Sequence, residues 1–357
     1  MAAQSTPARP GAAKPNEKII NLAIQGGGAH GAVTWGVIDR LLDEQTLKID
    51  SISGTSAGAV NAAALAYGIH LNGRDGAREK LDELWRTISN VGAYYSPVQR
   101  NPFEALFGWY NLDESFAYKA FDIFTRTISP YQFNPFDINP LKDILNECID
   151  FERLQQCTKT RLYLSATNVR TGKVHVFRTP DATVDAVLAS ACLPFIFKAV
   201  EIDGEHYWDG GYMGNPVLFP FFYEAEASDV VIIHVNPLER ENIPTTSTDI
   251  NNRINEISFN SSLLREMRAI SFVHKLLDDG WIKDEFRDKL RDVRIHSIRS
   301  DKSLVDLSVA SKFNTEWSFL QELKKRGREI ADQWLSEHVA SIGERSSVDL
   351  RAMFDGE

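Results

Sequence analysis

The stretch AIQGGGAHGAVTWG, residues 23–36, decides the fold of this chain. It joins an apolar segment, KIINLAIQ at residues 18–25, to a segment whose apolar residues recur at helical spacing. The pattern predicts a buried strand, a glycine turn and a helix. Gly26, Gly28 and Gly31 spell G-x-G-x-x-G, which is typical of a dinucleotide-binding turn. The same backbone N–H groups can equally hold another anion, including a transient oxyanion.

A second strand and helix follow directly. IDSISG at 49–54 predicts a short strand, and the alanine-rich SAGAVNAAALAYGI at 56–69 predicts a helix. Two such units in succession indicate a parallel α/β sheet. Residues 161–179 predict a β-hairpin, 229–237 another buried strand, and 294–298 a late strand.

The turn of the second unit reads Gly54-Thr55-Ser56-Ala57-Gly58, a G-x-S-x-G sequence. Between a strand and a helix, this motif places the serine on a sharp elbow with its hydroxyl exposed at the helix N-terminus. Ser56 is therefore a candidate nucleophile. The alternative is a serine that only caps the helix in a glycine-rich turn.

A serine nucleophile needs a base. His234, at the end of the strand predicted at 229–237, is the best-placed histidine for a Ser-His-acid triad. Asp209 is the other candidate, because Gly210 and Gly211 follow it and such a tight turn presents the carboxylate freely. Taken alone, this turn also fits a structural aspartate.

Asp50 lies about 20 residues beyond the glycine turn, where a dinucleotide-binding unit carries its ribose-binding acid. An NAD-binding oxidoreductase is therefore an alternative function, although it leaves Ser56 and Asp209 unexplained. A non-enzymatic lipid-binding protein is a further alternative.

The ordered motifs GGGAHG at 26–31, GTSAG at 54–58 and DGG at 209–211 resemble those of the patatin-like phospholipases, as does the segment LASACLPFIFKAVEIDGEHYWDGG at 188–211. The resemblance runs from about Lys18 to Asn236. It implies an α/β fold, a patatin-like three-layer sandwich with a mostly parallel central sheet, here followed by a helical C-terminal region.

The resemblance also implies the chemistry. Such enzymes hydrolyse acyl esters of lipids with a serine–aspartate dyad and without a metal or cofactor. Carried over, Ser56 is the nucleophile and Asp209 the proton acceptor. The oxyanion hole is then formed by N–H groups around Gly26, Gly27 and Gly28. The remaining motif glycines, which shape the turns, are Gly31, Gly54, Gly58, Gly210 and Gly211.

Two positions depart from the family pattern. The family often has Asp before the three glycines and Arg at the second position after them, where this chain has Gln25 and His30. The expected activity is that of a phospholipase A or a lysophospholipase. The alternatives with the same dyad are a non-phospholipid esterase and an acylglycerol lipase.

Composition and the N-terminal segment bear on partners and localisation. The formal net charge of −10 argues against a nucleic-acid binder. The expected partner is a lipid substrate at a membrane surface or in a micelle. Residues 1–17 lack the apolar core of a secretory signal, and no run of about 18 apolar residues is present. We therefore expect a cytoplasmic protein, peripheral on membranes at most.

The predicted organisation has three parts. Residues 1–17, rich in Ala and Pro, form a disordered lead. A catalytic domain covers 18–237 and contains an aromatic-rich insertion at 94–136. Residues 238–357 form a mainly helical extension packed on that domain.

Overall fold

A mixed eight-stranded sheet lies at the centre of the protein. The structure, a computed structural model, describes residues 17–96, 116–287 and 291–355. The disordered lead expected at 1–17 therefore lies outside the described residues except for Glu17, as does the 97–115 part of the aromatic-rich insertion.

The strands follow the chain in the order β1 (Lys18–Ile24), β2 (Leu47–Thr55), β3 (Arg161–Asn168), β4 (Val174–Arg178), β5 (Val200–Ile202), β6 (Glu205–Asp209), β7 (Asp229–Ile233) and β8 (Arg294–Ile298). In space the order is β5-β6-β3-β2-β1-β7-β8, with β4 also paired to β3. The run β3-β2-β1-β7-β8 is parallel throughout. Strands β4, β5 and β6 are added antiparallel. The predicted strands and the β3–β4 hairpin are confirmed.

The helices are α1 (Gly31–Leu41), α2 (Ala57–Tyr95), α3 (Phe116–Thr127), α4 (Pro130–Phe133), α5 (Pro140–Cys148), α6 (Phe151–Gln155), α7 (Val184–Ser190), α8 (Phe219–Tyr223), α9 (Ser247–Asp278), α10 (Asp284–Arg287), α11 (Trp317–His338) and α12 (Leu350–Asp355). Helix α2 joins the helix predicted at 56–69 to a second helical stretch, for which residues 77–89 also have the pattern, across a kink at Asn72 and Gly73, where Gly73 has φ +60°. No helix of the described residues is both long and apolar enough to cross a membrane.

Helices cover both faces of the sheet, which gives the predicted three-layer α/β fold. On one face, Leu22 and Ile233 belong to an apolar core shared with α1, α2, α7 and α11. Their neighbours in sequence, Ala23 and Ile232, belong to a second core shared with α8, α9 and α12. This division follows from the strand geometry, because successive side chains of a strand point to opposite faces.

The region after residue 237 takes part in both the sheet and the helical layer. Strand β8 pairs in parallel with β7, from Asp229↔Arg294 to Ile233↔Ile298. Helices α1 and α11 cross at two glycines: a Cβ on Gly36 would lie 1.9 Å from the Lys324 carbonyl oxygen, and one on Gly327 would lie 2.0 Å from that of Val33. Residues on both sides of position 237 therefore contribute to the same sheet and to each of the two apolar cores.

Candidate active site

Ser56 occupies a strained elbow between β2 and α2. Its backbone has φ 56° and ψ −126°, a conformation that typically costs a non-glycine residue about 1–3 kcal/mol. The flanking glycines permit the close packing of this turn. A Cβ on Gly54 would lie 2.4 Å from the Gly58 carbonyl oxygen, and one on Gly58 would lie 2.3 Å from that of Ile24. Larger residues at either position would push the elbow out of place.

Side chains that sequence reasoning did not single out hold this elbow. The Ser56 N–H donates to Oγ of Ser190, at 2.9 Å, at the end of α7. The Thr55 hydroxyl donates to the Gly214 carbonyl oxygen at 2.7 Å. Ser190 lies in the segment 188–211 that carries the family resemblance, but serine is too common for its role to be found without coordinates.

Asp209 ends β6 and is fully buried. Its Oδ1 accepts the Gly211 N–H at 2.7 Å, which fixes the carboxylate in the turn that follows. The two glycines after it are required by close contacts. A Cβ on Gly210 would lie 2.1 Å from the Ser165 carbonyl oxygen, and one on Gly211 would lie 2.3 Å from the Phe259 ring.

The structure brings Ser56 and Asp209 together. Burial raises the pKa of Asp209 to about 6, while the Gly211 N–H, the Ser56 hydroxyl and the charge of Lys312 each act to lower it. Oδ2 of Asp209 has no hydrogen bond of good geometry with a described residue. The Ser56 hydroxyl therefore lies beside a carboxylate whose Oδ2 can still accept a proton.

The glycine loop offers two free N–H groups. The Gly26 N–H donates to Oδ1 of Asn215 at 2.7 Å, so Gly26, expected among the oxyanion donors, is already bonded within the protein. The N–H groups of Gly27 and Gly28 donate to no described residue. Gly28 is exposed and has φ +59°, which suits glycine. A Cβ on Gly26 would lie 2.6 Å from Cβ of Ser56, so the loop and the elbow are in contact.

Gln25 and His30, the two departures from the family pattern, connect the loop to later parts of the chain. Gln25 is fully buried; its Oε1 accepts the N–H groups of Val235 and Asn236 at 2.9 and 3.0 Å. The His30 ring bonds to Oγ of Ser311 at 2.7 Å. Burial lowers the pKa of His30 to about 3, so the ring is neutral at physiological pH. Both side chains therefore serve the packing of the loop.

The contacts support neither a catalytic triad with His234 nor a dinucleotide site with Asp50 as its ribose-binding acid. The His234 ring bonds to Oγ of Ser297 at 3.1 Å, burial lowers its pKa to about 4, and no described hydrogen bond joins it to Ser56 or Asp209. Asp50 lies near the start of β2, at the opposite end from the elbow, and accepts hydrogen bonds from Arg161 at 3.2 and 3.3 Å. A ribose-binding acid has to lie at the carboxyl end of its strand.

Comparison with known proteins agrees with these motifs. The model of the patatin-like phospholipase family matches residues 22–222, more than half of the chain. The cGAMP-activated phospholipase of Vibrio cholerae serotype O1 is 27% identical over 361 aligned positions, which cover 89% of this chain and 92% of that protein. An uncharacterized protein of Acanthamoeba polyphaga mimivirus is 25% identical over 205 positions, 54% of this chain and 58% of that protein.

Two solved structures match this chain over most of its length. VipD from Legionella pneumophila matches with a TM-score of 0.41 and 15% identity, over 91% of this chain and 67% of VipD. The type III effector ExoU matches with a TM-score of 0.29 and 15% identity, over 90% of this chain and 53% of ExoU.

Proposed function

The chain belongs to the patatin-like phospholipase family, a family of lipid hydrolases, and we propose that it cleaves acyl esters of lipids with a dyad of Ser56 and Asp209. The observation that carries the proposal is the meeting of a strained serine elbow with a buried carboxylate whose pKa is raised to about 6. The N–H groups of Gly27 and Gly28, on the loop whose Gly26 contacts the elbow, supply the oxyanion hole in this proposal.

The reaction proceeds in two halves. Asp209 accepts the Ser56 proton while Oγ bonds to the ester carbonyl carbon, and the Gly27 and Gly28 N–H groups stabilise the negative carbonyl oxygen. The carbon–oxygen bond to the alcohol then breaks, and Asp209 returns the proton to the leaving alcohol. Water attacks the acyl-serine with Asp209 again as base, which releases the fatty acid and restores Ser56. A pKa of about 6 makes this carboxylate a stronger base than an exposed aspartate.

The dyad is tested with a fluorophosphonate probe and a fluorogenic acyl ester. Ser56→Ala should abolish labelling and hydrolysis, and Asp209→Asn should abolish hydrolysis. Ser336→Ala, an exposed serine on α11, and Asp203→Asn, an exposed aspartate on the β5–β6 turn, are the matched controls and should behave as wild type. Hydrolysis that persists in either purified dyad variant would refute the assignment.

For the substrate we propose a phospholipid or a lysophospholipid, cleaved as by a phospholipase A or a lysophospholipase. The alternatives are a neutral acylglycerol, cleaved by a lipase, and another ester that is not a phospholipid. A panel of phosphatidylcholine, lysophosphatidylcholine, diacylglycerol and a short-chain aryl ester, with released fatty acid measured by mass spectrometry, separates them. Cleavage of diacylglycerol in preference to both phospholipids would favour the lipase alternative.

Exposed apolar side chains on the segment that follows Cys192, whose carbonyl oxygen accepts the Asp209 N–H at 2.8 Å, and on its neighbour support contact with lipid. Phe195 and Phe136 are 60% and 85% exposed. They belong to neighbouring segments, because the Lys198 ammonium donates to the Pro135 carbonyl oxygen at 2.9 Å. We propose that Phe136 and Phe195 touch the membrane or micelle during turnover. The double substitution of Phe136 and Phe195 by Ser should lower hydrolysis of vesicles and leave the soluble aryl ester unaffected.

The relative's name suggests how the enzyme is switched on. The Vibrio cholerae protein is cGAMP-activated, and its similarity spans 89% of this chain, beyond the family-matched residues. We propose that this chain also responds to a cyclic dinucleotide. The hydrolysis assay is therefore run with and without cGAMP, with linear dinucleotide as control; identical rates in all three conditions would refute this regulation.

A further inference from the structure

A row of hydrogen-bonded dipoles links Lys312 to the glycine loop. The Lys312 ammonium donates to Oδ1 of Asn236 at 2.9 Å. Nδ2 of Asn236, in turn, donates to the Gly26 carbonyl oxygen at 2.8 Å. The orientation of the Asn236 amide is unambiguous, because an ammonium only donates and a carbonyl oxygen only accepts. The Gly26 carbonyl and the Gly27 N–H belong to one peptide group, so the row ends at the Gly27 N–H.

Neighbouring residues hold the Asn236 and Lys312 side chains in place. Asn236 is 1% exposed, and its main-chain N–H donates to Oε1 of Gln25 at 3.0 Å. The Lys312 ammonium also lies 3.4 Å from Oδ1 of Asn255 and 5.8 Å from the centre of the Phe259 ring. The Lys312 backbone packs under the loop, because a Cβ on Gly28 would lie 2.6 Å from the Lys312 carbonyl oxygen.

We propose that Lys312 and Asn236 are positioning residues of ester hydrolysis, which orient the Gly26–Gly27 peptide and strengthen its N–H as a donor to the oxyanion. The inference rests on the proposed role of Gly27 in the oxyanion hole. An amide whose oxygen accepts a hydrogen bond from a cation becomes a stronger donor through its N–H, so each member of a chain of amides polarises the next. Both residues lie beyond the family-matched stretch 22–222, and the sequence analysis assigned no role to either of them.

Lys312 carries its charge at neutral pH. Burial lowers its pKa to about 8, with the Glu256 carboxylate raising it, the Arg240 guanidinium lowering it and the Asp209 carboxylate raising it. At pH 7 the ammonium is therefore mostly protonated. Lys312→Met, of similar length, removes the charge, and Lys312→Arg keeps it.

The expected effect follows from the strength of such couplings. A donor of an oxyanion hole is typically worth about 100- to 1000-fold in kcat, and cooperative polarisation adds about 10–30% per bond. Lys312→Met should therefore lower kcat about twofold to eightfold with little change in KM, and Lys312→Arg should restore most of the loss. Lys324→Met, which removes a lysine packed on Trp35 away from the site, is the control and should leave kcat unchanged.

A double-mutant cycle distinguishes polarisation through the Asn236 amide, which we call the relay, from a direct effect of the Lys312 charge on the reaction. In the Asn236→Leu background, Lys312→Met should cost nothing further, because the connecting amide is gone. The same fold-loss in both backgrounds, or no loss in the wild-type background, overturns the relay. Melting temperatures of all variants identify any that fail to fold.

A second readout does not depend on hydrolysis. In protein labelled with ¹⁵N-glycine, Lys312→Met should move the Gly27 amide proton resonance upfield, and Asn236→Leu should remove this response. An unmoved Gly27 resonance overturns the relay even if the enzyme is active. Failure of the proposed function is seen separately, as hydrolysis or probe labelling that survives Ser56→Ala.

Discussion

Asp209→Asn should inactivate the enzyme and at the same time stabilise its fold. In the folded protein the pKa of Asp209 is raised from its usual 3.8 to about 6, chiefly by burial. The folded state therefore holds its proton where the unfolded state has released it, and the stability of the wild type falls as the pH rises through this range. Asparagine is neutral at every pH and keeps a carbonyl oxygen for the Gly211 N–H.

The size of the stabilisation by Asp209→Asn follows from the rise in the pKa of Asp209 on folding. Below about pH 3.8 the carboxyl is protonated in both states and costs nothing, whereas above about pH 6 it is ionised in both and the cost is constant. A difference of about two pKa units corresponds to about 3 kcal/mol at pH 8, and to roughly half of that at pH 5. For 357 residues, with an unfolding entropy of about 2.1 cal/mol/K per residue, 3 kcal/mol corresponds to about 4 °C in Tm.

The assay is urea unfolding of wild type and Asp209→Asn at pH 5 and pH 8, with Asp203→Asn as the control that removes an exposed charge. The gain for Asp209→Asn should be roughly twice as large at pH 8 as at pH 5, while the control should change little at either pH. A gain of equal size at both values, or a loss of stability at pH 8, would refute the reasoning that burial raises the pKa of this carboxyl.

Four further results are expected. Ser56→Gly should have a free energy of unfolding about 1 kcal/mol higher than Ser56→Ala, because only glycine adopts φ 56° without strain. Equal melting temperatures of the two variants would exclude stored strain at the elbow. The value of kcat/KM should fall tenfold per pH unit below about pH 6, since Asp209 acts as a base only when ionised, and a profile flat to pH 5 would exclude it. Gly26→Ala should lower kcat at least about 100-fold, since its methyl group would displace the Ser56 Cβ 2.6 Å away; a smaller loss would show that the loop can yield. Gly36→Ala should lower the free energy of unfolding by about 1–3 kcal/mol, measured in urea, because its methyl group would lie 1.9 Å from the Lys324 carbonyl oxygen, and an unchanged value would contradict the close crossing of α1 and α11.

Much of the fold was predictable because it rests on local patterns. Alternating and continuous apolar runs identified the strands, and glycines marked the turns between strands and helices. The elbow at Ser56 and the turn at Asp209 are each encoded within five consecutive residues, so their motifs could be read directly. The sequence also predicts helical structure on both sides of Asn72 and Gly73, where the chain leaves the helical conformation and α2 kinks.

The sequence could not predict which N–H groups of the loop glycines are bonded within the protein, because this depends on contacts between distant residues. The Gly26 N–H is bonded to Asn215, 189 positions away, and the elbow N–H to Ser190, 134 positions away. No periodicity or spacing relates such pairs, since the sheet order brings them together only after the strands have assembled.

The sequence by itself therefore determined the strands, the turns and the identity of Ser56 and Asp209 as candidates, since short-range geometry and residue type suffice for these. The tertiary structure alone decided which N–H groups remain free, how strongly Asp209 holds its proton, and that Lys312 reaches the glycine loop. Desolvation and hydrogen-bond competition set all three, and both depend on which distant groups the folded chain packs around each atom.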